Sequence, residues 1–226
     1  MGPQMNRITL YITHKNYSSW SLRVWLVMRT FGIGFTEQVV TLDGSCKIAA
    51  MIGVSGTAKV PCLIVHEPAG DLVIWESIAI MEYLAETFGD LPLWPAHVAD
   101  RARARVLAAE MHAGFEALRN ECPMNLRRPP AAFSVSDAVK ADVARIETMW
   151  QGCFDDCASG GGPFLFGNFS IVDAMYVPVW TRIKTYHLSS HPVIDRFGAA
   201  VEAMPEWQKW CAAATGDRSL IALNEV

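Results

Sequence analysis

The apolar residues in the first part of the chain follow two different periods in turn. Ile8, Leu10 and Ile12 alternate with polar residues, which predicts a half-buried β-strand. The next apolar residues share one face of a helix: Trp20, Val24, Val27, Met28 and Phe31. The stretch NYSSWSLRVW therefore joins the end of a strand to the start of a helix. Its hydroxyl and amide side chains suit that position, because they accept hydrogen bonds from the unpaired N–H groups of a first helical turn.

A second strand, a hairpin and two more helices are predicted in the same region. TEQVVTL has the character of a strand, and the segment from Lys47 to Ser55 that of a short helix. VPCLIVHE and LVIW, joined by a Pro/Gly turn, predict a β-hairpin, and ESIAIMEYLAETFG behind it has a helical period. The order β-α-β-(α)-β-β-α predicts a parallel β-α-β unit to which the hairpin adds antiparallel strands.

All the elements predicted after this region are helices. They are expected over Val98 to about Asn120, around 139–154, from Ser170 through Lys184, and after Pro192 and Pro205. The Pro- and Gly-rich segment GDLPLWPAH separates these helices from the α/β part. We therefore predict an α/β domain at residues 1–89, a linker at 90–97 and an all-helical domain at 98–226.

Composition and charge narrow the classes of function. Apolar residues make up 51% of the 226 residues and charged residues 19%, as in an ordinary globular protein. The net charge of −4 gives no support to nucleic-acid binding through phosphate groups. No apolar run reaches the roughly 18–20 residues that span a bilayer, so no membrane association is predicted. The six cysteines form no C-x-x-C pair and, scattered as they are, favour a reducing, cytoplasmic location.

Val60-Pro61, at the start of the hairpin, allows two interpretations. A proline suits the first residue of an edge strand, because it has no N–H to give to the sheet. The alternative is a cis peptide bond, which turns the chain tightly. In that case the N–H and C=O of Val60 would face outward, where they could pair with an extended, peptide-like ligand.

Two polar pairs lie at predicted helix starts. Glu76 and Ser77 could simply cap a helix, or the serine and the helix N-terminus could bind a ligand carboxylate while the glutamate pairs with a ligand ammonium group. Ser170 and Asp173 have the spacing of a capping box, so we expect a folding element there and not a catalytic acid. His187 and His191 lack a third ligand in the sequence, and no metal site is predicted.

Taken together, these motifs resemble those of the cytosolic glutathione transferases over nearly the whole chain. KVPCLIV with LVIWESIAIMEYLAE is similar to the glutathione-binding half of that superfamily, which has a thioredoxin-like fold, and GNFSIVDAMYVP is similar to the capping motif of its helical domain. SSWSLRV is similar to the S-S-x-S-x-R-V signature of the Ser-type zeta class. The resemblance implies a cytoplasmic, homodimeric transferase that uses glutathione as co-substrate and needs no metal.

The resemblance also implies roles for single residues. Ser18 would face the glutathione sulfur, with Ser19 as the close alternative. Val60, before a cis-Pro61, would pair through its backbone with the cysteinyl part of glutathione. A hydrogen bond from Ser18 and the N-terminus of a helix would both favour the thiolate, which would then attack a small electrophile.

The remaining contacts follow from the same resemblance. Glu76 and Ser77 would hold the γ-glutamyl end of glutathione, and either Lys47 or Lys59 would supply the cation for its glycyl carboxylate. The electrophile would lie in a neighbouring cleft lined by the first long helix of the second domain. The residues expected there are Met111, His112, Phe115 and Met124.

Trp20 departs from the zeta pattern. It stands where zeta-type maleylacetoacetate isomerases carry a cysteine, and its bulk should narrow the cleft for the electrophile. Three hypotheses therefore stand. The first is a transferase that conjugates glutathione. The second is an isomerase or dehalogenase that regenerates glutathione, and the third is a protein that binds glutathione without catalysis.

Overall fold

The α/β part of the chain is built on a four-stranded sheet. The computed structural model describes residues 7–41, 49–157 and 161–226. Its first elements are β1 (Ile8–Ile12), α1 (Ser19–Thr30), β2 (Thr36–Val39), α2 (Ala49–Ser55), β3 (Cys62–Val65), β4 (Leu72–Trp75) and α3 (Ser77–Thr87). The strands lie in the order β2-β1-β3-β4, with β1 and β2 parallel and the other pairs antiparallel. The parallel and antiparallel pairs are those that the element order predicts, and the sheet fits the thioredoxin-like fold that the resemblance implies.

Burial explains why α1 forms and where it lies. Its N-terminus is capped by Ser18, and most of its side chains are buried, since it packs against α3 on one side and the helical part on the other. The helix ends at Thr30, and the chain turns at Gly32, whose φ of 67° is readily adopted only by glycine. The predicted strand TEQVVTL is shorter than expected, because pairing with β1 stops at Val39. Lys47 and Ile48, predicted to start α2, lie outside the described residues.

The second part of the chain is helical. Its elements are α4 (Val98–Ala113), α5 (Glu116–Glu121), α6 (Asp137–Asp155), α7 (Ile171–Thr185), α8 (Pro192–Glu202), α9 (Pro205–Gly216) and a short 3-10 turn (Ala222–Asn224). The prediction of one continuous helix from Val98 to Asn120 was wrong. The chain breaks at Gly114, and Phe115 takes a left-handed conformation (φ 56°) that places its ring against Tyr176. Packing of this aromatic side chain accompanies the break in the helical period.

Helix α7 lies at the centre of the helical part. Nearly all of its side chains are buried, and it packs against both α1 and α4. The predicted capping box is present at its start, where Asp173 accepts hydrogen bonds from the N–H of Ser170 (2.8 Å) and the N–H of Leu165 (3.0 Å). Burial raises the pKa of Asp173 to about 7, but both oxygens of this carboxylate are committed to the local backbone. Asp173 therefore has a structural role.

The two parts share one hydrophobic core and are joined by polar contacts. The side chain of Asn16 donates to Asn125 (2.9 Å), and the Ile171 N–H donates to the Leu93 C=O (2.9 Å). The last residues of the chain, Asp217–Val226, here called the C-terminal strap, cross the turn that precedes α1. No helix in the described parts of the chain is both long and apolar enough to cross a membrane.

Candidate active site

A cavity of about 500 Å³ opens between the α/β part and the helical part. Its volume falls within the range of small-molecule sites. One wall is formed by the segment before β3 and by the junction of β4 and α3, and the opposite wall by residues of α1, α4 and α5. The cavity therefore collects residues that are far apart in the sequence.

The first wall contains Lys59, Val60 and Pro61. The peptide bond between Val60 and Pro61 is cis, and Pro61 is buried while Lys59 is exposed. None of the hydrogen bonds between described residues uses the N–H or the C=O of Val60. These two backbone groups lie beside the cavity, and they are a donor and an acceptor of the kind that an extended peptide needs.

Glu76 and Ser77 continue this wall at the start of α3. Glu76 has φ 66° and ψ 121°, a backbone conformation that non-glycine residues rarely adopt and that is frequent at functional sites. Ser77 is 1% exposed, yet its Oγ has no hydrogen-bond partner in the described chain. A buried hydroxyl at a helix N-terminus without a partner suits a ligand carboxylate, because the neighbouring N–H groups favour negative charge.

The three serines of the SSWS motif have different surroundings. Ser18 caps α1; its Oγ accepts from the Ser21 N–H (3.4 Å) and donates to the Ser21 Oγ (2.7 Å). Ser19 is buried, and its Oγ accepts from Nη2 of the buried Arg182 (3.4 Å). Neither Ser18 nor Ser19 lines the cavity, although the next residue, Trp20, does. Ser18 is the less buried of the two, and the bond to Ser21 holds its hydroxyl inward.

Trp20 is surrounded by cationic and aromatic groups. Its ring lies edge-on to His112, with 5.3 Å between ring centroids. The guanidinium carbons of Arg23 and Arg119 lie 4.2 Å and 5.1 Å from the centre of the indole ring, within the range of cation–π contacts. Trp20, His112 and Arg119 line the cavity, whereas Arg23 is 1% exposed.

His112 connects this group to the opposite wall. Its Nε2 lies 3.7 Å from a carboxylate oxygen of Glu76. Burial lowers the pKa of His112, and the positive charges of Arg23 and Arg119 lower it further, against the opposite effect of Glu76. These effects favour the neutral imidazole, and among the described residues that line the cavity the lysine and arginine are Lys59 and Arg119.

Three residues that the sequence predicts for the electrophile cleft lie elsewhere. Met111, Phe115 and Met124 are 0%, 6% and 1% exposed and are part of the hydrophobic core. Met111 points inward, where its Sδ accepts from Arg23, because the face of α4 that carries it packs on α7. Of the residues predicted for the electrophile, Trp20 and His112 line the cavity. Lys47, one of two candidates for the glycyl carboxylate, lies outside the described residues.

Sequence analysis missed Arg119 and Trp75, which also line the cavity. Arg119 was assigned to a long helix that does not exist as one element. Its spacing of seven residues from His112 is no reliable signal, because the break at Gly114 puts the two residues on different helices. Trp75 is the last residue of β4 and is 44% exposed, which nothing in the alternation of that strand indicates.

The other reactive groups of the described chain do not form a second site. Burial raises the pKa values of the Cys62, Cys122 and Cys211 thiols to about 11 and that of Cys153 to about 12, so these thiols stay protonated at neutral pH. Residues 7–41, 49–157 and 161–226 contain no cluster of three or more His, Cys, Asp or Glu side chains that could hold a metal ion.

Comparison with protein families gives two adjacent matches. Residues 17–87 match the model of the glutathione S-transferase N-terminal domain, and residues 96–213 match that of the glutathione S-transferase C-terminal domain. A probable maleylacetoacetate isomerase of Caenorhabditis elegans is 32% identical over 199 residues, which cover 87% of this chain and 89% of the relative.

Solved structures show the same fold at low sequence identity. A glutathione transferase homologue from Burkholderia gl BGR1 with bound glutathione is 22% identical, with a TM-score of 0.69 over 94% of this chain and 100% of that one. The maleylacetoacetate isomerase of Anaeromyxobacter dehalogenans, with dicarboxyethyl glutathione and citrate in its active site, is 22% identical, with a TM-score of 0.65 over 90% of this chain and 94% of that one.

Proposed function

Because the chain belongs to the glutathione S-transferase family, we propose that it binds glutathione and activates its thiol for attack on a small electrophile. One observation carries the proposal. A single cavity joins the backbone of Val60, the carboxylate of Glu76 and the buried, unpartnered Ser77 hydroxyl. A tripeptide that lies along this wall would offer a hydrogen-bond or ionic partner to each of these groups. Glutathione bound to solved relatives of the same fold supports this choice of ligand.

The proposed pose follows from the chemistry of each group. Ser77 and the N-terminus of α3 take the γ-glutamyl carboxylate, and Glu76 takes the γ-glutamyl ammonium group. The N–H and C=O of Val60 pair with the cysteinyl unit. Lys59, which is exposed at the rim, takes the glycyl carboxylate; Lys47 stays an alternative.

This pose directs the cysteinyl sulfur toward the start of α1. Ser18 is the residue proposed to donate to the sulfur, and it does so by turning its hydroxyl away from Ser21. Ser19 is less suited, because its Oγ is buried against Arg182. Glutathione has a thiol with a pKa of about 8.5, and each unit of lowering corresponds to about 1.4 kcal/mol. A hydrogen bond and a helix N-terminus together can lower the thiol pKa by about one or two units.

Calorimetry and kinetics with serine variants test this function. Titration with glutathione should give saturable binding, and Ser18→Ala should lower conjugation about 10- to 100-fold, as expected for a lost charge-assisted hydrogen bond. Ser19→Ala is the matched control and should keep most of the activity. Full activity of Ser18→Ala together with loss in Ser19→Ala would reassign the role to Ser19. If glutathione binds but no electrophile is turned over, the protein binds glutathione without catalysis.

A glutathione-dependent cis–trans isomerase is the second candidate. The C. elegans relative is named a probable maleylacetoacetate isomerase, and this supports the candidate. An isomerase would turn over maleylacetoacetate while the concentration of free glutathione stays constant, whereas a transferase consumes one glutathione per turnover. Trp20 favours the transferase, because its indole ring occupies space beside the proposed sulfur position.

The organisation of the chain is part of the same proposal. We propose a glutathione-binding domain at residues 1–89, a linker at 90–97 and a domain lining the electrophile site at 98–226. We also propose a cytoplasmic homodimer. Val98 and Val106 on α4 are 69% and 61% exposed and could be covered in such a dimer. A sedimentation experiment that gives a monomer would contradict it.

A further inference from the structure

Three arginines from different helices lie near the start of α1. Arg23 and Arg119 lie over the indole of Trp20, and Arg182 contacts the neighbouring Ser19. Arg23 belongs to α1, Arg119 to α5 and Arg182 to α7. Their positive charges act on one another: Arg119 and Arg182 both lower the pKa of Arg23, and Arg119 lowers that of Arg182, in addition to the larger effect of burial on each. Positive charge is therefore concentrated at this point of a chain whose net charge is −4.

None of the three guanidinium groups forms an ion pair with a described carboxylate. Arg23 donates to the Met175 C=O (3.0 Å) and to the Met111 sulfur, and Arg182 donates to the Pro178 C=O (2.9 Å) and to Ser19. Nη1 of Arg23 and Nε of Arg182 are buried without a hydrogen-bond partner in the described chain. Buried charges are normally paired, so this cluster lacks a negative counterpart.

Arg119 is the member of the cluster that reaches the cavity. It lines the cavity together with Trp20 and His112, and its Nη1 donates to the Gly114 C=O (3.1 Å). Its guanidinium forms a cation–π contact with Trp20. The remaining N–H groups of a guanidinium in this setting can form two parallel hydrogen bonds to a carboxylate.

The charges of glutathione do not account for Arg119. In the proposed pose, the γ-glutamyl carboxylate of glutathione is bound by Ser77 and the α3 N-terminus. Its ammonium group is bound by Glu76, and its glycyl carboxylate by Lys59. These protein groups all come from the α/β part, whereas Arg119 projects from α5 of the helical part. The nearest carboxylate in the cavity lining, Glu76, lies beside His112. The positive charge of Arg119 therefore faces the space left for the second substrate.

We propose that Arg119 is a specificity-determining residue that binds a carboxylate group of the electrophile, so that the protein prefers anionic electrophiles to neutral ones. The inference rests on the proposed glutathione function and deepens it. Trp20 supports Arg119 by a cation–π contact, and the charges of the buried Arg23 and Arg182 add to the positive potential around it. A bound carboxylate would supply the negative charge that this cluster lacks.

A matched pair of aryl chlorides tests the preference. In 4-chloro-3,5-dinitrobenzoate and its neutral amide, the glutathione thiolate attacks the carbon that bears chlorine; a C–S bond forms, the C–Cl bond breaks and chloride leaves. The two probes differ in one negative charge and little in shape. We expect the wild-type kcat/KM to be about 10- to 100-fold higher for the acid, the usual effect of a hydrogen-bonded charge pair.

Variants then assign the preference to Arg119. Arg119→Gln should lower kcat/KM for the acid much more than for the amide, so that the ratio of the two falls to about one. Arg119→Lys should restore part of the preference, because it keeps the charge without the planar fork of N–H groups. Arg196→Gln is the matched control, since it removes the same charge from an arginine of α8 that does not line the cavity. An equal loss for both probes in Arg119→Gln, or no preference in the wild type, would overturn the proposal.

Binding of the two glutathione adducts, measured by calorimetry, keeps the test independent of turnover. If glutathione binds and the acid adduct binds no more tightly than the amide adduct, the assignment of Arg119 fails while the proposed function stands. If glutathione itself does not bind, the proposed function fails. If the acid adduct binds more tightly to the wild type and this advantage disappears in Arg119→Gln, both are supported.

Discussion

Ser77→Ala should make the ligand-free protein more stable and weaken its binding of glutathione. Ser77 is 1% exposed and its Oγ has no partner in the described chain, so the hydroxyl is desolvated without compensation. A buried, unsatisfied hydroxyl costs about 1–3 kcal/mol. Alanine at the first position of α3 removes this cost and creates little empty volume. We expect a gain of about 1 kcal/mol, which corresponds to a rise in Tm of roughly 2–4 °C for a chain of this size.

The same substitution should act in the opposite direction on the ligand. If the Ser77 hydroxyl donates to the γ-glutamyl carboxylate, its removal costs about 1.5–3 kcal/mol, as for other hydrogen bonds to charged groups. This corresponds to a Kd for glutathione that is about 10- to 100-fold higher. The α3 N–H groups stay in place, so binding should weaken and not disappear.

Thermal unfolding without ligand and calorimetric titration with glutathione measure the two effects separately. Ser55→Ala is the matched control, because Ser55 is also a buried serine but its Oγ is bonded to the Met51 C=O (3.1 Å) and to Thr57. That variant should lose about 1 kcal/mol of stability. A Ser77→Ala protein that is less stable without ligand and binds glutathione normally would refute the reasoning, since Ser77 would then be an ordinary helix cap.

Two further predictions concern the capping box of α7 and the C-terminal strap. Asp173→Ala should lower the free energy of unfolding by about 2–5 kcal/mol, because the buried N–H groups of Leu165 and Ser170 lose their acceptor. Conjugation per folded molecule at 25 °C should be unchanged. A loss of activity at unchanged Tm would show a catalytic role for Asp173 instead. Deleting residues 219–226 removes the contacts of Glu225 with Tyr17 and Asn125 and that of Ser219 with Arg127. Amide exchange in the turn before α1 should then become faster and conjugation slower. Unchanged exchange after the deletion would show that the strap does not hold this turn.

The order and type of the elements could be predicted from the sequence because they depend on local spacing. Alternation of apolar residues in β1, the stripe of α1 and the Pro/Gly turn of the hairpin each act within a few residues. The parallel β-α-β unit and the antiparallel hairpin follow from their order. The prediction failed where a distant contact changed the local pattern. Phe115 packs against Tyr176, and the helix predicted through it is divided at Gly114.

The residues of the wall proposed to bind glutathione could be grouped from the sequence, and those of the opposite wall could not. Val60, Pro61, Glu76 and Ser77 are placed by local chemistry at a strand start and a helix start, so motif and position coincide. Which side of α4 faces the cavity depends on how α4 packs against α7, and this packing buries Met111 while it leaves His112 at the surface of the cavity. A shift of one residue on a helix turns a side chain by about 100°, which sequence spacing alone does not resolve.

The sequence by itself determined that this chain has a thioredoxin-like half, a helical half and serines at the start of α1. Only the tertiary structure decided how those serines differ: Ser19 is buried against Arg182, and Ser18 bonds to Ser21. It also placed Arg23 and Arg119 over Trp20 and Arg182 against the neighbouring Ser19, from three helices. The physical reason is that hydrophobic periodicity and capping act over one or two turns, whereas the charge around a side chain depends on residues brought together by packing.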